Sequence, residues 1–197
     1  MPSSRFSLTI PPTVTLQVTA SQFADLAQAN RDLHLERNAN GALIMTPPTG
    51  GETGRRNLKI GYYLVKWLME EGGSGVAFDS STGFILPNGA HRSPDVAWLA
   101  PDRWDRLTAA QRQGFIPLCP DFVIELRSAS DRLPTLQAKL QEYLNNGTQL
   151  GWLIDPQHQQ VEIYRRGQGV EVQITPQTLS GEVVLPGFTL PLGEIWR

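Results

Sequence analysis

The stretch that decides the fold runs from Pro120 to Pro156, PDFVIELRSASDRLPTLQAKLQEYLNNGTQLGWLIDP. Phe122, Val123 and Ile124 form an apolar run too short for a helix, so the spacing predicts a buried strand, ending on Glu125. A helix follows, with Asp131 or Ser130 expected as its N-cap, Pro134 in the first turn, and Leu133, Leu136, Leu140, Tyr143 and Leu144 as its apolar positions. Asn145-Asn146-Gly147 stops it, and Leu150 to Ile154 reads as a second buried strand closed by Asp155-Pro156. Strand, helix, strand is a βαβ unit with a right-handed crossover. Glu125 falls at the carboxyl end of its strand, where open α/β sheets place their crevice. Lys139, about 40° around the helix from Tyr143, lies on the rim of the apolar stripe. Its ammonium either snorkels to water or reaches over the strand end towards Glu125.

Outward from this unit, the composition bounds the answer. The chain has 197 residues, 40% of them hydrophobic and 18% charged, as in a globular domain with a sizeable core. No apolar run approaches a membrane span, and MPSSRFSLTIPP lacks a signal-peptide core. A single cysteine, Cys119, excludes an internal disulfide and a cysteine-rich zinc site, so a cytoplasmic location is the default. A net charge of −2 argues against a general nucleic-acid binder and leaves room only for a local basic patch.

Residues 1–12 read as a loose, proline-bearing lead-in, with 13–197 as one domain. Val14 to Val18 is expected as an edge strand, and Ser21 as the cap of a short helix through Phe23, Leu26 and Ala27. A hairpin is expected around Asn38-Ala39-Asn40-Gly41. Thr53 to Glu71 is the next helix, with Leu58, Tyr62, Val65 and Leu68 as its apolar stripe and Glu52, Arg56, Lys59 and Tyr63 on a second face. Short strands are expected at Val76–Phe78, Gly83–Leu86 and Val96–Leu99, and a loop with a Trp104–Leu107 amphipathic turn over residues 100–119. Val161–Tyr164 and Val170–Ile174 alternate as a hairpin, and the tail adds short strands that cover the sheet. The fold class is α/β (α+β), a mixed β-sheet flanked by helices.

Three charges then stand in a suggestive order: Asp95 after Pro94 at the start of a strand, Glu125 at the end of the next, and Lys139 on the following helix. Two carboxylates on adjacent strands can bind a hard divalent cation that keeps several waters. A lysine beside such a water can orient it or stabilise developing negative charge. Together these suffice for phosphodiester hydrolysis. The structural counterpart for Asp95 is a turn cap. Glu52 divides evenly between a ligand and a helix-start charge. Asp121, at the far end of Glu125's strand, reads as structural. Ser128 and Ser130 read as caps, Cys119 as a small hydrophobe, and His91 as at most a neighbour of Asp95.

Ser93-Pro94-Asp95-Val96, then Pro120 to Ser128, then Lys139 to Tyr143 and Gly147 to Pro156 resemble a family of restriction-endonuclease-like proteins. That family is much expanded in cyanobacteria and was long catalogued as a domain of unknown function. The resemblance spans roughly residues 15–195 and implies the PD-(D/E)-x-K nuclease fold, Mg²⁺ or Mn²⁺, and cleavage of nucleic acid, DNA above all. It assigns the motif's aspartate to Asp95 and its second acid to Glu125, with the Leu126 carbonyl beside them on the metal. It assigns Glu52 to the acidic residue of the first core helix. The motif's lysine should stand at 127, where this sequence has Arg127, and the resemblance transfers that role to Lys139. Arg55, Arg56, Arg92, Arg127 and Arg132 flank this set as phosphate contacts or as partners of its acids. A homodimer is the expectation, since cutting both strands takes two sites. Two other classes compete: an inactive nuclease-fold module binding nucleic acid or protein, and a structural partner anchored by Trp104 or Trp196.

Overall fold

The computed structural model describes Pro11 and residues 14–197; the expected lead-in otherwise lies outside the described residues. Its elements run α1 (Ala20–Ala29), β1 (His34–Arg37), β2 (Leu43–Thr46), α2 (Gly51–Glu70), β3 (Val76–Asp79), β4 (Phe84–Ile85), β5 (His91–Arg92), β6 (Val96–Leu99), α3 (Pro101–Asp105), α4 (Ala109–Gln113), β7 (Phe122–Leu126), α5 (Leu133–Asn145), β8 (Leu150–Asp155), β9 (Gln160–Arg165), β10 (Glu171–Ile174), β11 (Thr178–Ser180), β12 (Thr189–Pro191) and α6 (Gly193–Trp196). The main sheet has the order β10-β9-β8-β7-β6-β3, and β7 and β8 form its parallel pair. A smaller sheet, β2-β1-β5-β4, carries the N-terminal hairpin.

Alternation along β7 sends Phe122, Ile124 and Leu126 to one face, with α2 and the C-terminal segment, and Val123 to the other, under α5. Glu125 shares the α5 face, where Tyr143 meets it. β8 packs the same way. Its Gly151 lets α5 lie close, since a Cβ there would stand 2.7 Å from Leu140 Cδ1. Buried apolar layers on both faces are the dominant stabilising contribution of such a sheet.

Several expectations are corrected. In α2, Leu58, Tyr62 and Val65 are exposed and Leu68 is only partly buried, whereas Ile60, Leu64 and Trp67 face the core. Both stripes have helical spacing, and β12, α6 and the sheet cover the second one. The N-cap of α5 is Arg132, without a side-chain cap bond, while Asp131 accepts the Ser128 N–H at 2.7 Å. Thr19, not Ser21, caps α1, in a reciprocal box with Gln22. Residues 14–18 make a single bridge, Gln17 to Ala42, in place of a strand. The 100–119 segment holds two short helices, the second capped by Thr108 and Gln111. Trp104 and Trp196 are half-buried, Trp104 under Arg112 and against Phe78, Trp196 donating to the Pro176 carbonyl at 3.1 Å, so neither is a free anchor. Among the described residues, no helix is long and apolar enough to cross a membrane.

Candidate active site

An open cleft of about 1540 Å³ lies between the N-terminal hairpin, the start of α2 and the start of α5. Glu36, Asn57, Asp95, Glu125, Arg132 and Lys139 are among its lining residues. The fold brings three of the sequence candidates together here. The βαβ crossover lays α5 over the end of β7, and burial of Leu140 and Tyr143 turns Lys139 inwards. Its ammonium lies 2.8 Å from Glu125 Oε1 and donates to the Ser93 carbonyl at 3.2 Å. Snorkelling to water is thereby excluded. Asp95, on the adjacent strand's entry, accepts the Leu126 N–H at 2.7 Å, so the backbone of Leu126 runs directly beside it.

The third contact of Lys139 is Glu36 Oε1 at 2.9 Å, a residue that sequence reasoning missed. Glu36 comes from β1 in the smaller sheet and is 5% exposed. It also accepts the Ser93 N–H at 2.8 Å and pairs with Arg92 at 3.1 Å. No local pattern marks it, because a glutamate alternating with leucine in a short strand ordinarily faces water. A second missed residue is Asn57, whose amide donates to Asp95 Oδ1 at 3.0 Å while its own Oδ1 is buried without a hydrogen-bond partner among the described residues. A signal for Asn57 did exist: at three and seven residues before Ile60 and Leu64 it stands on the buried face of α2, a polar group in an apolar stripe.

Electrostatics set this cluster apart. Burial pushes the Glu125 carboxyl up to about 8; Lys139 opposes the rise, and the charges of Asp95 and Glu36 add to it. Burial likewise raises Asp95, against its hydrogen bond from Leu126. Burial would lower the Lys139 ammonium, but Glu125 and Glu36 outweigh it and hold the group well above its ordinary value. Burial would also raise Glu36, and there Lys139 and Arg92 prevail and depress it. Tyr143, buried, donates to Glu125 Oε1 at 3.2 Å.

Glu52 is not brought to this cluster. It is 68% exposed at the cleft rim and pairs with Arg55 at 2.9 Å and Arg56 at 3.5 Å. Four of the five flanking arginines are likewise occupied inside the fold. Arg55 and Arg56 also donate to the carbonyls of Arg197 and Ile195. Arg92 is buried between Glu36 and Glu142. Arg127 is 2.6 Å from Asp155, with His158 on the same carboxylate at 2.8 Å. Arg132 is exposed on the cleft wall, without an ion pair among the described residues. Asp121 is structural in its contacts, accepting from Ala100 N at 2.9 Å and Arg103 at 2.7 Å. Cys119 is buried against Thr148, the hydroxyls of Ser128 and Ser130 face each other, and His91 sits between Phe23 and Phe115.

Among the described residues, no group of three His, Cys, Asp or Glu side chains gathers to enclose a metal. The donor set instead fits a Mg²⁺ or Mn²⁺ that keeps most of its waters. Asp95 and Glu125 supply hard oxygens, and burial raises both carboxyls, a rise that Lys139 offsets only in part.

Comparison with known proteins bears on the family and the fold. No curated protein matches the chain. Among solved structures, a protein described as "a putative nuclease belonging to DUF820 from Anabaena variabilis ATCC 29413" superposes with a TM-score of 0.69 at 22% identity, over 82% of this chain and 89% of that one. At that identity the likeness shows the fold. The family model Uma2, described as "Putative restriction endonuclease", matches residues 20–193, and this chain therefore belongs to the Uma2 family.

Proposed function

We propose that this chain is a Mg²⁺- or Mn²⁺-dependent endonuclease that hydrolyses phosphodiester bonds in DNA, acting in the cytoplasm through one domain over residues 13–197. The observation that carries the reading is the Lys139 ammonium clasped between Glu36 and Glu125 beside Asp95, at the floor of an open cleft. Asp95 and Glu125 would hold the metal, with the Leu126 carbonyl as a further oxygen. Once bound, the ion would lower the pKa of a water and take up charge on the phosphoryl oxygens. Lys139 is a fixed cation rather than a base, because its two carboxylates hold the proton on. It therefore orients the water and offsets charge developing on phosphorus-bound oxygen. Glu36 aims Lys139, and Tyr143 and Asn57 fix the two metal-binding carboxylates. Glu52 has no part in the set, and of the arginines Arg132 is placed to meet a phosphate.

The test is titration of Mn²⁺ and Mg²⁺ into the wild type and the Asp95→Ala/Glu125→Ala double variant, followed by incubation with supercoiled plasmid. Binding and nicking by the wild type, both absent in the variant, are the expected result. Absence of wild-type binding at millimolar metal sinks the reading. The internal engagement of Arg55, Arg56, Arg92 and Arg127 favours one competing reading, an inactive nuclease-fold module that binds a protein partner. DNA binding that weakens steeply with salt would count against that alternative.

A further inference from the structure

The helix α2 is apolar on two opposite sides. Ile60, Leu64 and Trp67 face the core, while Leu58, Tyr62, Val65 and Met69 are 76%, 57%, 43% and 80% exposed. At 3.6 residues per turn these four fall within about 60° of one another, on the side facing away from the buried set. Their spacing is four, three and four residues, so the stripe reads the same from either end, with its midpoint between Tyr63 and Leu64. We propose that this face is the interface of a homodimer in which two copies of α2 pack antiparallel about a twofold axis at that midpoint.

Three features select a second copy of this chain. The palindromic spacing lets Leu58 of one copy meet Met69 of the other, and Tyr62 meet Val65, which is the self-complementarity an isologous contact needs. Charge follows the same symmetry. The antiparallel register sets Glu70 of a second copy level with Asn57, between Arg55 and Lys59 on the same flank of the stripe. Those two cations also donate to the carbonyls of Arg197 and Glu194, and their ion pairs to Glu52 and Glu194 are surface pairs, which are worth little and can be shared. A parallel pairing would set this charged flank against the glycine flank. Finally, Gly61 stands beside the centre of the stripe, and a Cβ there would meet nothing within 4 Å among the described residues. A mid-helix glycine costs about 1 kcal/mol relative to alanine, and packing among the described residues gives it no use. A second helix approaching to the usual axial separation of about 8 Å does. One helix pair buries less than a standard interface of about 800 Å² per partner, the size class of weak, reversible association.

The experiment is sedimentation equilibrium of the full chain from micromolar to millimolar concentration, with Tyr62→Glu and Gly61→Leu. All substituted side chains point to solvent in the monomer, and Gly61→Leu should keep or raise the melting temperature of the isolated chain. The expected result is a wild-type dimer and, in both variants, association weakened by at least about 30-fold. A wild type that stays monomeric throughout overturns the proposal, as does a dimer that both variants preserve. Oxidising a mixture of Leu58→Cys chains and Met69→Cys chains tests the register. Mixed cross-links support it, and cross-links confined to like chains overturn it.

Discussion

The two parallel strands of the main sheet end alike and behave oppositely. β7 carries Glu125 one residue before its end, 2.8 Å from Lys139, and β8 ends with Asp155, 2.6 Å from Arg127. Both acids are nearly buried, yet Glu125 is raised to about 8 and Asp155 is lowered. Burial would raise Asp155 as well, but hydrogen bonds from His158, Arg127 and the Gln157 N–H outweigh it. Glu125 has Asp95 and Glu36 as neighbours, and these acids add to the effect of burial. A satisfied ion pair serves the fold; a cluster with surplus negative charge is poised for a cation. An acid beside a cation near a strand end is therefore not enough to mark a site: what decides is whether its hydrogen bonds and counter-charges outweigh its burial.

The largest effect should come from substituting each acid in turn. Glu125→Gln should abolish metal-dependent nicking, a loss of at least about 10³-fold, with no loss of metal-free stability near neutral pH, since the metal-free carboxyl is held protonated there and the amide replaces one uncharged group by another. Asp155→Ala should do the reverse, costing about 3 kcal/mol in urea unfolding by stranding Arg127, while the folded fraction keeps its turnover. Equal stability losses in the two variants would collapse the distinction.

Acidity sharpens the same contrast. Between the ordinary carboxylate value of 4.5 and about 8, the folded protein holds a proton on Glu125 that the unfolded chain has released. Metal-free stability from this group is thus present at low pH and lost as pH rises through about 8. Asp155 has the opposite sign: its contribution is present above its ordinary value of 3.8 and is lost as pH falls through its depressed folded value. Mn²⁺ must displace the Glu125 proton, so its affinity should climb with pH up to about 8, read by calorimetry. A flat affinity over that window would break the assignment of Glu125 as a ligand.

The smallest effect is the most specific. Asn57→Leu removes the bond to Asp95 and the orphaned amide oxygen together. Mn²⁺ affinity should fall about 10- to 100-fold, the usual cost of losing a residue that orients a ligand, with the melting temperature unchanged or higher. A lowered melting temperature with unchanged affinity would make Asn57 a packing residue only.

The sequence by itself determined the central βαβ unit, the buried strand Val96–Leu99, the strand from Phe122 to Glu125, which the structure extends to Leu126, and the candidates Asp95, Glu125 and Lys139. These are legible because burial imposes a short-range period and strand ends fall at the edge of the pattern. Only the tertiary structure decided which face of α2 is buried. Two stripes satisfy the helical period equally, and the choice rests with the main sheet together with β12 and α6, the last two more than a hundred residues away. Taking the exposed stripe for the core one also hid Asn57. Glu36 and the loss of Glu52 from the site have the same origin. A carboxylate's role is set by what stands within about 3 Å of it, and for Glu36 those neighbours, Arg92, Ser93 and Lys139, come from β5, the residue after it and α5. Local periodicity carries no record of such partners; only the packed chain brings them together.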